Sequence, residues 1–343
     1  MFNFNFNLIQ RLGIDLGTSN IRIYQPKRGI VINEPAVVAI AKDDNKIVAM
    51  GNAAKEMIGK TPDIISAQPP LREGVIANYR VTEAMLRHYI TRLLGSVRFF
   101  GLEVMVAVPV GISSTERRAV IDAAQAAGAK TVHLIKQPIA AALGAEIPIA
   151  EPSGSLILDI GGGTTEVAVI SLGDIVASTS TRVGGIHFDQ AITAYIRRKH
   201  NLNLGSQTAE ELKCSIGSAQ TLSQEEGKSK EVSGSNAITG LPEIMEIYSY
   251  EITEAIREEL KEIINAVKLV LSKTPPELAA DVIDKGIVMT GGGSKLANLD
   301  KLMTKITGVP CYLAEEAQLC TALGTGIAVE HLDEYKRSVI MGK

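Results

Sequence analysis

Tryptophan is absent from this 343-residue chain, aromatic residues make up only 4% of it, and there are three cysteines. Cys214, Cys311 and Cys320 are odd in number and lack metal-ligand spacing, which argues for free or buried thiols in a reducing cytosol rather than a disulfide framework. No apolar run approaches the ~18 residues of a membrane-spanning helix. No charge precedes Arg11 and no small-residue cleavage site follows the apolar start, so a signal peptide is not expected. Excess charge is lacking too. A net charge of −3 gives no basic footprint for nucleic acid. The one basic run, Arg197-Arg198-Lys199-His200, reads as the close of a helix, where cations suit the dipole. What is present is the composition of an ordinary soluble protein, 45% apolar and 21% charged, long enough for two or more domains.

Strand and helix patterns alternate, the signature of α/β layers. Strands are predicted at 12–16, 21–24, 104–108, 156–160, 167–170 and 286–290, and helices at 81–94, 114–128, 138–145 and 188–200. The longest helix is expected over 250–271, with Ile252, Ile256, Leu260, Ile263, Val267 and Leu271 at helical spacing. The polar stretch 223–235 reads as a surface loop.

Two segments carry the same short pattern. In Leu12-Gly-Ile-Asp15-Leu-Gly-Thr18 and Leu156-Ile-Leu-Asp159-Ile-Gly-Gly-Gly-Thr164, an apolar strand ends in an aspartate, a Gly/Ser/Thr turn follows, and a second apolar strand begins. Glycine lets a backbone approach phosphate closely, and successive amides of a turn form an anion-binding nest. Two such hairpins facing each other across a cleft could grip a nucleotide triphosphate, with Asp15 and Asp159 holding magnesium through water because that ion dehydrates reluctantly. A third glycine run, Gly291-Gly292-Gly293-Ser294, follows the strand at 286–290 and opens a helical-looking segment at 295–306. Each run alone also reads as a simple turn. The repetition implies two related α/β halves, the first with an excursion from about 32 to 74 and the second from about 183 to 241.

These loops resemble those of the actin, sugar kinase and heat-shock chaperone ATPase superfamily. Ile32-Asn-Glu-Pro35, Gly74-Val-Ile-Ala77, Val108-Pro-Val-Gly111, Glu116-Arg-Arg-Ala-Val120, Thr208-Ala-Glu210, Ile216-Gly-Ser-Ala219 and Thr274-Pro-Pro-Glu-Leu-Ala279 narrow the resemblance to the MreB family of bacterial actins, over about residues 13–331. The resemblance implies an actin-like ATPase fold, with two related α/β lobes and two smaller inserted subdomains around a nucleotide cleft. Subdomain IA would comprise 1–31, 75–138 and 314–343, IB 32–74, IIA 139–182 and 242–313, and IIB 183–241. By motif match, Gly17, Thr18, Ser19, Asn20, Gly161, Gly162, Gly163, Thr164 and Thr165 would line the triphosphate. Glu210, Glu211 and Lys213 would lie near ribose and base, and Gly292, Gly293, Ser294 and Lys295 would close the other side. The cofactors implied are ATP, with GTP left open, and Mg²⁺.

The family pattern places a water-positioning glutamate just after the Pro-x-Gly loop, here Glu116, assisted by Thr164 or Thr165. The residues themselves also read as a helix capping box, with Glu116 bonding back to the Ser113 amide, and the two roles can coexist. Two departures bear on turnover. Lys136-Gln137-Pro138 replaces an acidic pair, leaving Gln137 to orient metal-bound water, and Ile186 stands where an acid is usual.

Phe2, Phe4 and Phe6 alternate with asparagine, and Phe99-Phe100 stand where the family carries an exposed apolar loop. Burial of each ring is worth roughly 1.5–3 kcal/mol, weak alone but multiplied along a filament. The same residues also read as an N-terminal strand and a core-packed loop. The expected protein is an ATP-binding, ATP-hydrolysing homopolymer, cytoplasmic and peripheral at the inner face of the cell membrane. It would control cell shape with other rod-complex membrane proteins and bind no nucleic acid. The competing readings are a small-molecule kinase, for which no sugar-binding segment is evident, and a chaperone-type ATPase, for which the chain after Gly293 leaves no peptide-binding domain.

Overall fold

The computed structural model describes residues 9–44, 46–95, 101–221, 227–335 and 338–341. The chain forms two compact units. One comprises Met1–Glu151, Leu172–Asp174 and Leu319–Lys343, the other Pro152–Ser171 and Ile175–Gln318. The helix Gln137–Gly144 belongs to the first unit.

The two units repeat one plan. The first holds a six-stranded sheet in the order Val339–Met341, Thr131–Lys136, Leu102–Val108, Gln10–Leu16, Asn20–Gln25, Gly29–Pro35. The second holds a five-stranded sheet in the order Asp174–Thr181, Thr165–Ser171, Ser155–Ile160, Ile287–Thr290, Cys311–Leu313. In each, an acid-ending strand pairs antiparallel with the strand after its turn and parallel with a strand brought back by a crossover. Alternate residues of these strands, Leu12 and Ile14 in one unit and Leu156 and Leu158 in the other, sit in the two main cores. Each excursion carries a small sheet of its own. Ile47–Met50, Val38–Ala41 and Ile65–Gln68 pair with the helix Asn52–Met57 over a core of Val37, Ala39 and Ala54. Leu202–Asn203, Ser229–Asn236 and Pro242–Tyr248 form the other.

Three local expectations need correction. The long helix is two, Ser249–Ala255 and Arg257–Lys273, broken at Ile256 with φ −92° and ψ 8°. Ile256 still donates to the Ile252 carbonyl and accepts from the Leu260 amide, so the buried stripe of Ile252, Ile256, Leu260, Ile263 and Val267 runs through the break unshifted. Periodicity alone cannot register such a break. The polar stretch 223–235 is strand from Ser229 onward, because its partner Pro242–Tyr248 supplies a full antiparallel register and Val232 turns inward. Gly234 lets the neighbouring strand close in, for a Cβ there would stand 2.5 Å from the Asn203 carbonyl oxygen. The segment after the third glycine run is a 3₁₀ turn, Gly292–Lys295, followed by a separate helix, Leu299–Thr307.

Two buried titratable groups make stability depend on pH in the same direction. His133 lies inside the first sheet, and neither ring nitrogen has a hydrogen-bond partner among the described residues. Burial holds its pKa below the ordinary value, with Glu103 opposing and Arg11 reinforcing. The unfolded chain therefore takes up this proton first, and the folded state loses stability as pH falls below about 6.5. Glu251, 1% exposed, bonds His200 Nε2 at 2.6 Å and Lys199 Nζ at 3.0 Å. Burial pushes its carboxyl up, but bonds from the Tyr248 amide, His200 and Lys199 outweigh this and hold it below the ordinary range. That contribution is present above the ordinary glutamate pKa and is lost as pH falls through the depressed value. Urea midpoints should therefore decline in two stages on acidification, and His133→Leu should abolish only the first.

Candidate functional site

The first turn joins Gln10–Leu16 to Asn20–Gln25 and closes with the Gly17 amide donating to the Asn20 carbonyl at 3.1 Å. Asp15 pairs in register with Arg22, and Leu16 with Ile21. The second turn joins Ser155–Ile160 to Thr165–Ser171 and closes with the Gly161 amide on the Thr164 carbonyl at 2.8 Å. Here Asp159 pairs with Glu166, and Ile160 with Thr165. Every position of one turn maps onto the other by a single offset, so the repeat seen in the residues is a repeat of register and hydrogen bonding. Among the described residues, the amides of Thr18 and Ser19 in one turn, and of Gly162 and Gly163 in the other, find no protein acceptor. Adjacent free donors in a tight turn suit an anion.

Each turn is fastened to its surroundings. In the first unit, Thr18 Oγ1 accepts from the Gly74 amide at 3.0 Å and the Ser19 carbonyl from the Ala36 amide at 2.9 Å, so both legs of the 32–74 excursion hold this loop. Asp15 is buried and accepts from Arg22 Nη1 at 3.1 Å. Burial pushes its carboxyl above the ordinary range, with Arg22 opposing.

In the second unit, the carbonyls of Gly161 and Gly162 accept from the amides of Gly185 and Ile186 at 3.0 and 2.8 Å, so the helix Gly185–His200 caps itself on the loop. A Cβ on Gly184 would lie 2.6 Å from the Gly161 oxygen, which is why that approach needs glycine. Lys213 Nζ ties the same helix end by donating to the Gly185 carbonyl at 2.8 Å and pairing with Asp189 at 2.7 Å.

The third glycine run meets the root of the second turn. Thr290 Oγ1 donates to Asp159 Oδ1 at 3.0 Å, and Gly291, at φ +82°, would place a Cβ 2.7 Å from that same oxygen. Gly293 abuts the Ile160 side chain, whereas Gly292 has nothing within 4 Å. Ser294 is buried, its hydroxyl donating to the Thr290 carbonyl, and Lys295 is exposed.

Other predicted positions are distributed as follows. Glu210, Glu211 and Lys213 share the helix Ser206–Ile216, with Glu211 paired outward to Lys230 at 2.5 Å. Thr165 is fully buried and its hydroxyl donates to the Val183 carbonyl at 2.7 Å, while the Thr164 hydroxyl has no protein partner among the described residues. In the first unit, Gln137 opens the helix Gln137–Gly144 and is buried. Glu116 completes a capping box, with the Ser113 amide donating to its Oε2 at 2.8 Å and its own amide donating to Ser113 Oγ at 3.2 Å. Phe2, Phe4, Phe6, Phe99 and Phe100 lie outside the described residues. Sequence reasoning missed Arg22, Asp189 and Thr290. Arg22 was within reach, since a tight turn closed by Gly17 and Asn20 puts it directly opposite Asp15.

Residues 9–337 match the family described as MreB/Mbl protein. The chain is 43% identical over 329 residues to the cell shape-determining protein Mbl of Bacillus cereus, covering 96% of this chain and 98% of that one. It is 47% identical over 327 residues to the cell shape-determining protein MreB of Escherichia coli, covering 94% of each. Among solved structures, MreB5 of Spiroplasma citri bound to ADP superposes with a TM-score of 0.90 at 37% identity, covering 96% of this chain and 98% of that one.

Proposed function

The chain belongs to the MreB/Mbl family of bacterial actin-like, filament-forming proteins that control cell shape, and on that premise we propose that it binds Mg-ATP through its two acid-rooted turns and hydrolyses it slowly. The observation that carries this reading is the matched pair of turns with unpartnered amides.

The residues suit the cofactor. Thr18, Ser19, Gly162 and Gly163 offer backbone donors to phosphate oxygens, and Thr164 adds a hydroxyl. Asp15, whose buried carboxyl is pushed toward the neutral form, gains from a nearby cation, and Asp159 keeps its orientation through Thr290. Both would hold magnesium through water. When bound, the metal neutralises charge on the terminal phosphates. Glu116 would orient the attacking water with help from Thr164, while Gln137 would order metal-bound water. Lys213 would act on the second turn through the Gly185 carbonyl as well as near the nucleoside.

Thr164 and Thr165 are separable by mutation. Thr164→Val should slow hydrolysis by about tenfold to a hundredfold with little change in stability. Thr165→Val leaves the buried Val183 carbonyl without its donor and should cost roughly 1–3 kcal/mol, read as a lower urea midpoint.

Filaments of this chain would lie at the inner face of the cell membrane, anchored by Phe2, Phe4, Phe6, Phe99 and Phe100 and joined by membrane proteins of the rod complex. No described helix is long and apolar enough to cross a membrane. The reading is tested by pelleting and light scattering of purified protein near micromolar concentration. Mg-ATP should drive sedimentation, and GTP added in its place measures base preference. Phosphate transfer to a sugar without sedimentation would favour the kinase reading instead. Liposome co-pelleting that survives replacement of Phe2, Phe4, Phe99 and Phe100 by serine would remove the anchoring role.

A further inference from the structure

Asp15 is not alone at the root of the first turn. The register that closes the turn sets Arg22 directly opposite it, and Arg22 Nη1 donates to Asp15 Oδ2 at 3.1 Å. Both side chains are largely shut from water, the arginine 15% exposed and the aspartate 8%, so the two charges act on each other with little screening. Asp15 is the one acceptor this guanidinium has among the described residues, and its buried Nε meets none. A guanidinium also keeps its charge at any working pH. In the second unit the matching place, opposite Asp159, holds Glu166, so the cation is not part of the plan the two turns share. Gln137, the other side chain of the first unit proposed to serve the metal, is a neutral amide.

These charges bear on how the turn holds phosphate. The amides of Thr18 and Ser19 lie just beyond Asp15 in the same hairpin and find no acceptor among the described residues. A bare carboxylate at the root of such a turn repels the anion that the amides attract, and a divalent cation is the usual remedy. Here a remedy is built into the neighbouring strand. We propose that Arg22 supplies at the first turn the charge that magnesium would otherwise have to supply, so that this chain retains nucleotide without metal. Arg22 acts through Asp15, which makes it a positioning residue. The inference rests on the nucleotide reading of the turns and deepens it, since the metal is then needed for hydrolysis more than for grip.

The test is calorimetry of the full chain with AMPPNP, a nucleotide that is not hydrolysed, in EDTA and in Mg²⁺. The parent should bind in EDTA within about tenfold of its affinity in Mg²⁺. Arg22→Gln should bind at least about tenfold more weakly than the parent in EDTA and lose less in Mg²⁺, which restores a cation. Arg22→Lys keeps the charge and should retain the parent's ratio between the two conditions. Asp15→Asn still accepts from Arg22 but carries no charge, so its affinity in EDTA should exceed the parent's. That variant decides the matter if Arg22→Gln does not fold. Adenosine, which has no phosphate, should bind all four proteins alike, whereas a merely structural role for Arg22 would weaken adenosine as well. The proposal is overturned if the parent needs Mg²⁺ to bind, if Arg22→Gln matches the parent in EDTA or loses equally in both conditions, or if Asp15→Asn binds more weakly in EDTA. Binding by the parent in neither condition would instead sink the nucleotide reading itself, and this inference with it.

Discussion

Replacing Gly324 by valine is expected to unfold the first unit, or at least to lower its thermal midpoint by ~10 °C or more. The helices Gln137–Gly144 and Cys320–Glu330 touch backbone to backbone. A Cβ at Gly324 would stand 1.7 Å from the Ala140 carbonyl oxygen, and one at Gly144 would stand 1.8 Å from that of Cys320. Gly326 likewise leaves no room beside the Tyr24 ring, and Gly13 none beside the Gly326 amide. The atoms that would have to yield belong to backbone on two buried helices and a central strand, so no rotamer change absorbs the clash. Overpacking of this kind belongs with the largest single-site effects, about 4–5 kcal/mol, against a total stability of roughly 5–15 kcal/mol. Gly205→Ala is the control, because its nearest neighbour is 4.0 Å away. As the N-cap of Ser206–Ile216 it should lose no more than about 1 kcal/mol. Equal melting curves for the two variants would refute the close-contact account. The same helix pair sets the position of Gln137, so partial retention of fold in Gly324→Val should still come with weakened nucleotide binding.

The turns were legible in the residues because their chemistry is local: an aspartate at a strand end, glycine where the closing carbonyl crowds in, hydroxyls between. Gly17 shows the point, as a Cβ there would lie 2.7 Å from the Asn20 oxygen that its own amide binds. The central strands of both sheets were legible for a similar reason, since runs such as Leu156-Ile-Leu are apolar on both faces and the structure buries both, whereas Gly29–Pro35, Thr131–Lys136, Asp174–Thr181, Cys311–Leu313 and Val339–Met341 were not read as strands. What the residues hid depends on partners distant in the chain. Ser229–Asn236 has a loop-like composition and becomes a strand only because Pro242–Tyr248 pairs with it. Thr164 and Thr165 are indistinguishable in sequence, and the Val183 carbonyl alone separates them. The third glycine run was seen, but which glycine is sterically required was not. Gly291 and Gly293 are held by contacts with Asp159 and Ile160, residues on another strand, while Gly292 is open. Lys213 was placed from resemblance beside the nucleoside. Its bonds to Gly185 and Asp189 give it a second task that no local pattern encodes.

Glu116→Gln is expected to slow ATP hydrolysis by about a hundredfold while leaving the fold almost unchanged. Glu116 has two candidate roles, and this substitution divides them. As the third residue of Ser114–Ala126 it accepts from the Ser113 amide through Oε2, and glutamine serves a capping box as well as glutamate does. The amide loses only the attraction of a carboxylate for the helix N-terminus, worth about 0.3–1 kcal/mol. A water-orienting role depends instead on the negative charge, which polarises the O–H bond of the attacking water and which a neutral amide does not supply. Glu116→Ala removes both functions and should add a stability cost of about 1 kcal/mol for the lost cap. The measurements are phosphate release at matched filament mass, Mg-ATP affinity by calorimetry, and urea unfolding of the three proteins. Affinity should be similar in all three, because Glu116 is assigned to the water and not to the phosphates. If Glu116 were only a cap, glutamine would hydrolyse ATP at the parent rate and alanine would differ in stability alone. If, as the proposed function implies, hydrolysis times filament turnover, a slow but binding-competent Glu116→Gln chain should also form filaments that outlast those of the parent, a second readout that a helix cap by itself does not move.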